Sequence, residues 1–268
     1  MVSVLPGFVS STVVMQGRTE QDCNGFFTAL AARSLRTRGY PLADEMLDAL
    51  ESCRSPQGGF RFWPAGTRPQ WVPALPDDTD DTALMILELY LAGRLAWHDA
   101  RRIACHTIGR YRVRRLDWPG PVWRRVGVFK TWHRDTSETD LIDCTATANA
   151  IALLATLGLQ AIPGYAEACA MLADAIKWAG YSTVRATSLS PFYPNPAEFV
   201  LALEHAITCG AHELRGIFQA VKQTPWARDP WTRVTRLDHA VCSSPYGFAV
   251  WHSQELAILR RAYFISIS

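Results

Sequence analysis

The chain has 268 residues, of which 49% are apolar and 19% charged, so it can bury a sizeable core and is not disordered. Its 27 basic and 25 acidic residues leave a net charge of only +2, too weak a field to hold a polyanion, which excludes a general nucleic-acid binder. A single domain spanning 1–268 is expected.

In chain order, Met1 to Gln16 is apolar but lacks a charged leading region and a small-residue cleavage site, so it does not read as a secretory signal. Phe26, Leu30, Ser34 and Leu35 follow a helical spacing before Gly39, and Leu42, Met46, Leu47 and Leu50 repeat it. A third helix is predicted from Asp78 to Leu91, stopping at Gly93. Further helices are predicted over 98–109, 140–157, 164–178, 197–208, 211–221 and 247–264. The start at Asn195-Pro196-Ala197-Glu198 is well marked, with a capping Asn and a first-turn Pro. No alternating run flanked by hairpin turns competes with these helices, so the expected fold class is all-α.

Long aromatic and Pro-rich segments separate the helices, notably Phe60 to Pro76, Trp118 to Trp132 and Ser190 to Pro196. Phe60 to Trp63, Phe129 to Trp132 and Phe248 to Trp251 share the pattern F-x-x-W, an echo expected near helix starts in repeated helix hairpins. The longest weakly polar stretch, Ala146 to Ala161, falls short of the roughly 20 apolar residues that span a bilayer, so no spanning helix is expected. Seven cysteines stand singly at intervals of 25 to 52 residues, which suits free thiols in a reducing cytoplasm and gives no structural zinc site.

The most informative segment is Pro76-Asp77-Asp78-Thr79-Asp80-Asp81-Thr82-Ala83, four carboxylates leading straight into an apolar helix. Capping accounts for one or two aspartates, but four repel one another beyond any capping need. Ionised, they would suit Mg²⁺ and a diphosphate leaving group. In a dry site, crowding would instead keep one acid protonated and able to protonate an alkene.

Asp78-Thr79-Asp80-Asp81-Thr82-Ala83 resembles the D-x-D-D-T-A motif of class II terpene cyclases of the squalene-hopene type. Gln57-Gly58-Gly59-Phe60-Arg61-Phe62-Trp63 resembles the Q/G/F/W-rich repeats of the prenyltransferase and squalene-oxidase superfamily. The resemblance covers residues 57–92 and is diffuse elsewhere. It implies a single α/α toroid, a barrel of helix hairpins, with Asp80 as the proton donor and Asp78 and Asp81 supporting it. Family cyclases of the triterpene type use two toroids, and others join one to a phosphatase-like domain that this chain lacks. A homodimer, a second-domain partner or a self-sufficient cavity must therefore close the site.

Asp77-Asp78-Thr79-Asp80-Asp81 also satisfies D-D-x-x-D, the metal motif of class I terpene synthases, but the second metal motif of that family has no match downstream. Class II is preferred. The implied activity is protonation-initiated cyclisation of a linear isoprenoid, a prenyl diphosphate or related prenyl chain. Protonation itself needs no cofactor, and a diphosphate substrate would admit Mg²⁺ without requiring it. The alternatives are a noncatalytic isoprenoid-binding or partner-docking toroid, and class I chemistry.

Carbocations need aromatic faces, and the candidates for lining a cavity are Phe60, Trp63, Trp71, Phe129, Trp132, Phe192, Tyr193, Tyr246 and Trp251. Asp140, Asp143 and Thr147 form a polar stripe continuing to Asn149; pointed inward, Asp143 or Asn149 would orient a proton donor or a terminating water. His133 and His252 are the histidines best placed to join a site. The basic run Arg110 to Arg115, with Arg124 and Arg125, reads as a solvated face that would alternatively grip a diphosphate or anionic lipid headgroups. A cytoplasmic protein, peripheral to the membrane if that run meets lipid, is the expectation.

Overall fold

The computed structural model describes residues 5–69, 71–72, 75–116, 120–134 and 141–267, with the side chains of Tyr246 and of 263–267 left aside. The chain opens with a hairpin, β1 (Ser10–Met15) and β2 (Arg18–Cys23), joined by Gln16 and Gly17. Both turn residues have positive φ, 48° and 78°, as a two-residue hairpin turn of the right twist demands.

Helices follow: α1 (Gly25–Arg36), α2 (Asp44–Ser52), α3 (Thr79–Leu91), α4 (Trp97–His106), α5 (Cys144–Thr156), α6 (Tyr165–Ala179), α7 (Thr183–Thr187), α8 (Pro196–Thr208), α9 (Arg215–Lys222) and α10 (Pro230–Val234). The chain then returns to the sheet through β3 (Ala240–Ser243) and β4 (Ala249–His252) before the last helix, α11 (Gln254–Ile267). The sheet is antiparallel in the order β2-β1-β4-β3, so the first and last parts of the chain share one ladder.

The all-α toroid expected from the sequence is thereby corrected: the fold is mixed α/β, about half helical, with a four-stranded antiparallel sheet. The 247–264 region, expected to be one helix, divides into β4 and α11. The third F-x-x-W segment accordingly lies in a strand, not at a helix start.

α3 and α5 are buried almost all round, as helices at the centre of a core must be. Helices α1, α3, α5 and α8 each pack on the next, and α11 packs back against α1. Helices α2, α4, α6 and α9 lie outside them, and α2, α4 and α9 carry amphipathic faces. Glu88 on α3 sits deep in this core, wholly buried and paired with Arg33 and Arg36 of α1. Among the described residues no helix is long and apolar enough to cross a membrane.

Candidate active site

Two aromatic segments hold the acidic motif in place. Phe60 N–H donates to Thr82 Oγ1 at 3.0 Å, and the residues before it make a tight turn in which Gly58 has φ of 92°. A Cβ on Gly59 would come within 2.6 Å of Asp77 Oδ2, so only glycine lets this turn close on the acidic segment. From the other side, Thr79 N–H donates to Thr131 carbonyl at 2.9 Å and His133 N–H to Asp77 carbonyl at 2.8 Å, which lays Trp132 beside Asp78.

Within that frame the four aspartates have separate roles. Asp77 accepts from Ser55 and, at 3.0 Å, from Arg61, and does not line the cavity. Asp78 caps α3, accepting from Asp81 N–H at 2.7 Å. Asp78, Asp80 and Asp81 all reach the wall of a cavity of about 580 Å³. Asp80 is the least enclosed of the three. Its Oδ1 accepts from Asn149 Nδ2 at 2.8 Å and its Oδ2 from the Tyr193 hydroxyl.

Burial pushes all three carboxyls toward the protonated form. Asp80 is raised by loss of solvent, moderated by the donors Tyr193 and Asn149. Asp78 is raised by burial and by the neighbouring Asp80. Asp81 is raised by burial and then by the charge of Asp78, and its Oδ2 has no hydrogen-bond partner. Asp78 and Asp81 thus behave as one crowded acid pair that does not hold two negative charges together. A fourth carboxyl, Asp143, caps α5 and accepts from the N–H groups of Thr145, Ala146 and Phe192; burial pushes it up to about 7.

The remaining wall is mostly apolar. Of the aromatic residues nominated from sequence, Trp63, Trp71, Trp132, Phe192, Tyr193 and Trp251 line the cavity, as does Asp143. Phe60 and Phe129 are buried in the core and do not line it, so their role is to support the motif. Asn149 stands behind the wall, touching Asp80 and lining a second, more polar cavity of about 220 Å³ that Tyr193 also lines. Tyr246's side chain, Asp140 and Trp118 lie outside the described residues. His133 stacks on Tyr111 and is driven by burial down to about 3, and His252 bonds the Asp238 carbonyl; neither lines the cavity. In the basic run, Arg125 pairs with Asp174 at the surface and contributes nothing to the cavity.

Sequence reasoning missed the sheet's contribution. Met15, Cys242, Ser243, Ala249 and Trp251 bring β1, β3 and β4 into the wall. It also missed Phe26, Phe62 and Phe248. Phe62 stacks on Phe26 at 5.7 Å and meets Trp63 and Trp251 edge-on at 4.5 and 5.6 Å, making one continuous aromatic surface. Asp22 on β2 sets its geometry, accepting from the indoles of Trp63 at 2.8 Å and Trp251 at 2.9 Å and from Asn24 at 3.1 Å. The available signal was Asp22-Cys23-Asn24 just before a helix start, where an Asn cap is conspicuous but a carboxylate serving two distant tryptophans is not.

Chemically, the arrangement offers a carboxyl biased toward its neutral form, flanked by two donors that stabilise its anion, at the edge of an aromatic chamber. Among the described residues no group of three or more carboxylate, His or Cys side chains is arranged to hold a metal ion. Comparison with protein-family models gives no match, and comparison with curated protein sequences gives none either.

Proposed function

We propose that this protein is a class II-type terpene cyclase that starts ring closure of a linear isoprenoid by protonating a terminal alkene or epoxide with Asp80. The observation that carries the proposal is the placement of Asp78, Asp80 and Asp81 on the wall of a largely apolar, aromatic-rich cavity. The Asp80 O–H bond breaks as a new C–H bond forms, and the electron pair stays on the carboxylate held by Asn149 and Tyr193. The resulting cation is attacked by the next alkene, and aromatic faces stabilise each cationic centre by about 0.5–2 kcal/mol. Loss of a proton from the final cation to water restores an alkene, and Asp80 recovers its proton from solvent, so the reaction is a net isomerisation. No cofactor enters these steps.

The D-D-x-x-D register is less favoured, because its first carboxylate, Asp77, is occupied by Ser55 and Arg61 and faces away from the cavity lining. The test is incubation of the purified chain with squalene and with linear prenyl alcohols and diphosphates, followed by mass-spectrometric detection of cyclic products. Asp80→Asn should abolish them while retaining a cooperative thermal transition, and EDTA should leave them unchanged. Undiminished product from Asp80→Asn would overturn the assignment of the acid; EDTA-sensitive release of pyrophosphate would point to class I chemistry.

A further inference from the structure

Resting on the cyclase reading, we infer that the substrate enters the cavity as an uncharged isoprenoid, a hydrocarbon, alcohol or epoxide, and that a prenyl diphosphate is not its ligand. The charge inventory of the cavity carries this. Every Lys, Arg and His side chain of the protein lies among the described residues, and none lines the cavity. Its ionisable groups include four carboxyls, Asp78, Asp80, Asp81 and Asp143, and no cation.

Diphosphates are held by guanidinium or ammonium groups, or by carboxylates through divalent metal ions. The arginines that touch the surroundings of the cavity are committed elsewhere, Arg68 donating to the Val72 carbonyl. Arg33 pairs with Glu88 and lines the other cavity, behind Asn149, while Arg61 pairs with Asp77. A metal bridge has no arranged donor set among the described residues. A diphosphate drawn into this chamber would lose its hydration without gaining a partner, and its charge would oppose ionisation of Asp80, weakening the acid when it must give up a proton. The neutral hydroxyls at the lining, Thr131, Ser243 and Ser244, suffice for an alcohol or epoxide oxygen.

The experiment separates ligand class from turnover. Equilibrium binding of geranylgeraniol and of geranylgeranyl diphosphate is measured on the intact chain by quenching of tryptophan fluorescence, since Trp63, Trp71 and Trp251 line the cavity. The alcohol should bind at least tenfold more tightly, about 1.4 kcal/mol. Phe248 is 57% exposed while lining the cavity, so Phe248→Arg places a cation at the edge and should narrow or reverse the preference. Equal or tighter binding of the diphosphate by the unmodified chain would overturn the inference even if cyclic products form. The expected preference without any turnover would uphold the inference on ligand class while removing the cyclase reading, and binding of neither would overturn both.

Discussion

Asn149 on α5 donates its side-chain amide to Asp80 Oδ1 at 2.8 Å, and its own Oδ1 accepts from Arg33 at 3.3 Å. The arginine fixes which end of the amide faces Asp80, so Asn149 offers a donor and not a second acceptor. A donor stabilises the carboxylate left after proton transfer and thereby strengthens the acid. Asn149→Leu should lower kcat by about 10- to 100-fold, the worth of a hydrogen bond to a charged group, and leave KM nearly unchanged. Asn149→Ser, which keeps a donor, should recover part of the loss. Steady-state kinetics of the two variants decide it; equal losses in both would reduce Asn149 to a packing role.

On the proposed mechanism the rate should fall as pH rises, because Asp80 would react in its protonated form and burial raises its titration above the ordinary carboxylate range. Tyr193 donates to the other oxygen, a contact that lowers the titration point of Asp80. Tyr193→Phe should therefore move the falling limb of the pH–rate profile to higher pH while reducing the plateau. A limb that stays in place, or moves down, contradicts the pairing.

Crowded acids should cost stability. Asp81 is held well above the ordinary carboxylate value of 3.8 by burial and by Asp78, so it takes up more protons folded than unfolded. Its contribution is fully present below the unfolded value and is lost as pH rises toward the folded one. Asp81→Asn removes that penalty and leaves an amide able to donate to Asp78. Melting temperature at pH 8 should rise by a few degrees, at about 2–4 °C per kcal/mol for a domain of this size, while turnover falls. Calorimetry at acidic and alkaline pH checks the sign: the gain should shrink at low pH, where the native Asp81 is already neutral.

Helices were legible because their periodicity is local. Asn195-Pro196 starts α8 and Gly93 lies just past α3, as the sequence patterns predict. The sheet was not, for three physical reasons. β2, Arg18–Cys23, is largely exposed at a sheet edge and carries no alternating apolar signal. Gln16-Gly17 makes a turn more often signalled by Asn-Gly. β1 pairs with β4 across almost the whole chain, a ladder that no local window contains. The site was half visible: the acidic motif and most of its aromatic neighbours follow from sequence pattern. Asp22, Phe62 and the β-strand wall depend on packing between distant segments.

Asp22 governs the shape of the aromatic wall through its bonds to Trp63 and Trp251, whose ring centroids are 6.2 Å apart. Asp22→Ala strands two indole donors, at about 1–3 kcal/mol apiece. The melting temperature should drop accordingly, and product distribution should broaden because both cation-stabilising faces lose their anchor. Asp22→Asn presents its amide nitrogen to one of these donors and should rescue only in part. An unchanged product pattern from a folded Asp22→Ala protein would mean that the indoles are held by packing alone.

Glu198 on α8 provides a contrast to the acid cluster, being a buried carboxylate that stays charged. Burial would raise it, but Arg260 of α11, bonded at 2.6 and 2.9 Å, and His239 at 2.8 Å hold it down to about 2. Its folded value lies below the ordinary glutamate value of 4.5, so the stability it contributes is present above pH 4.5 and is lost as pH falls toward 2. Acid unfolding followed by circular dichroism should show this loss, and Glu198→Gln should flatten that part of the curve. Removing only the cation is harsher: Arg260→Met leaves an anion facing a single imidazole and should cost about 3–5 kcal/mol at neutral pH. The double variant Glu198→Gln with Arg260→Met should recover most of that loss, since no unpaired charge is then buried and His239 remains to bond the amide. If the double variant is as unstable as Arg260→Met alone, the contact between α8 and α11 is maintained by the shape of the arginine and not by its charge.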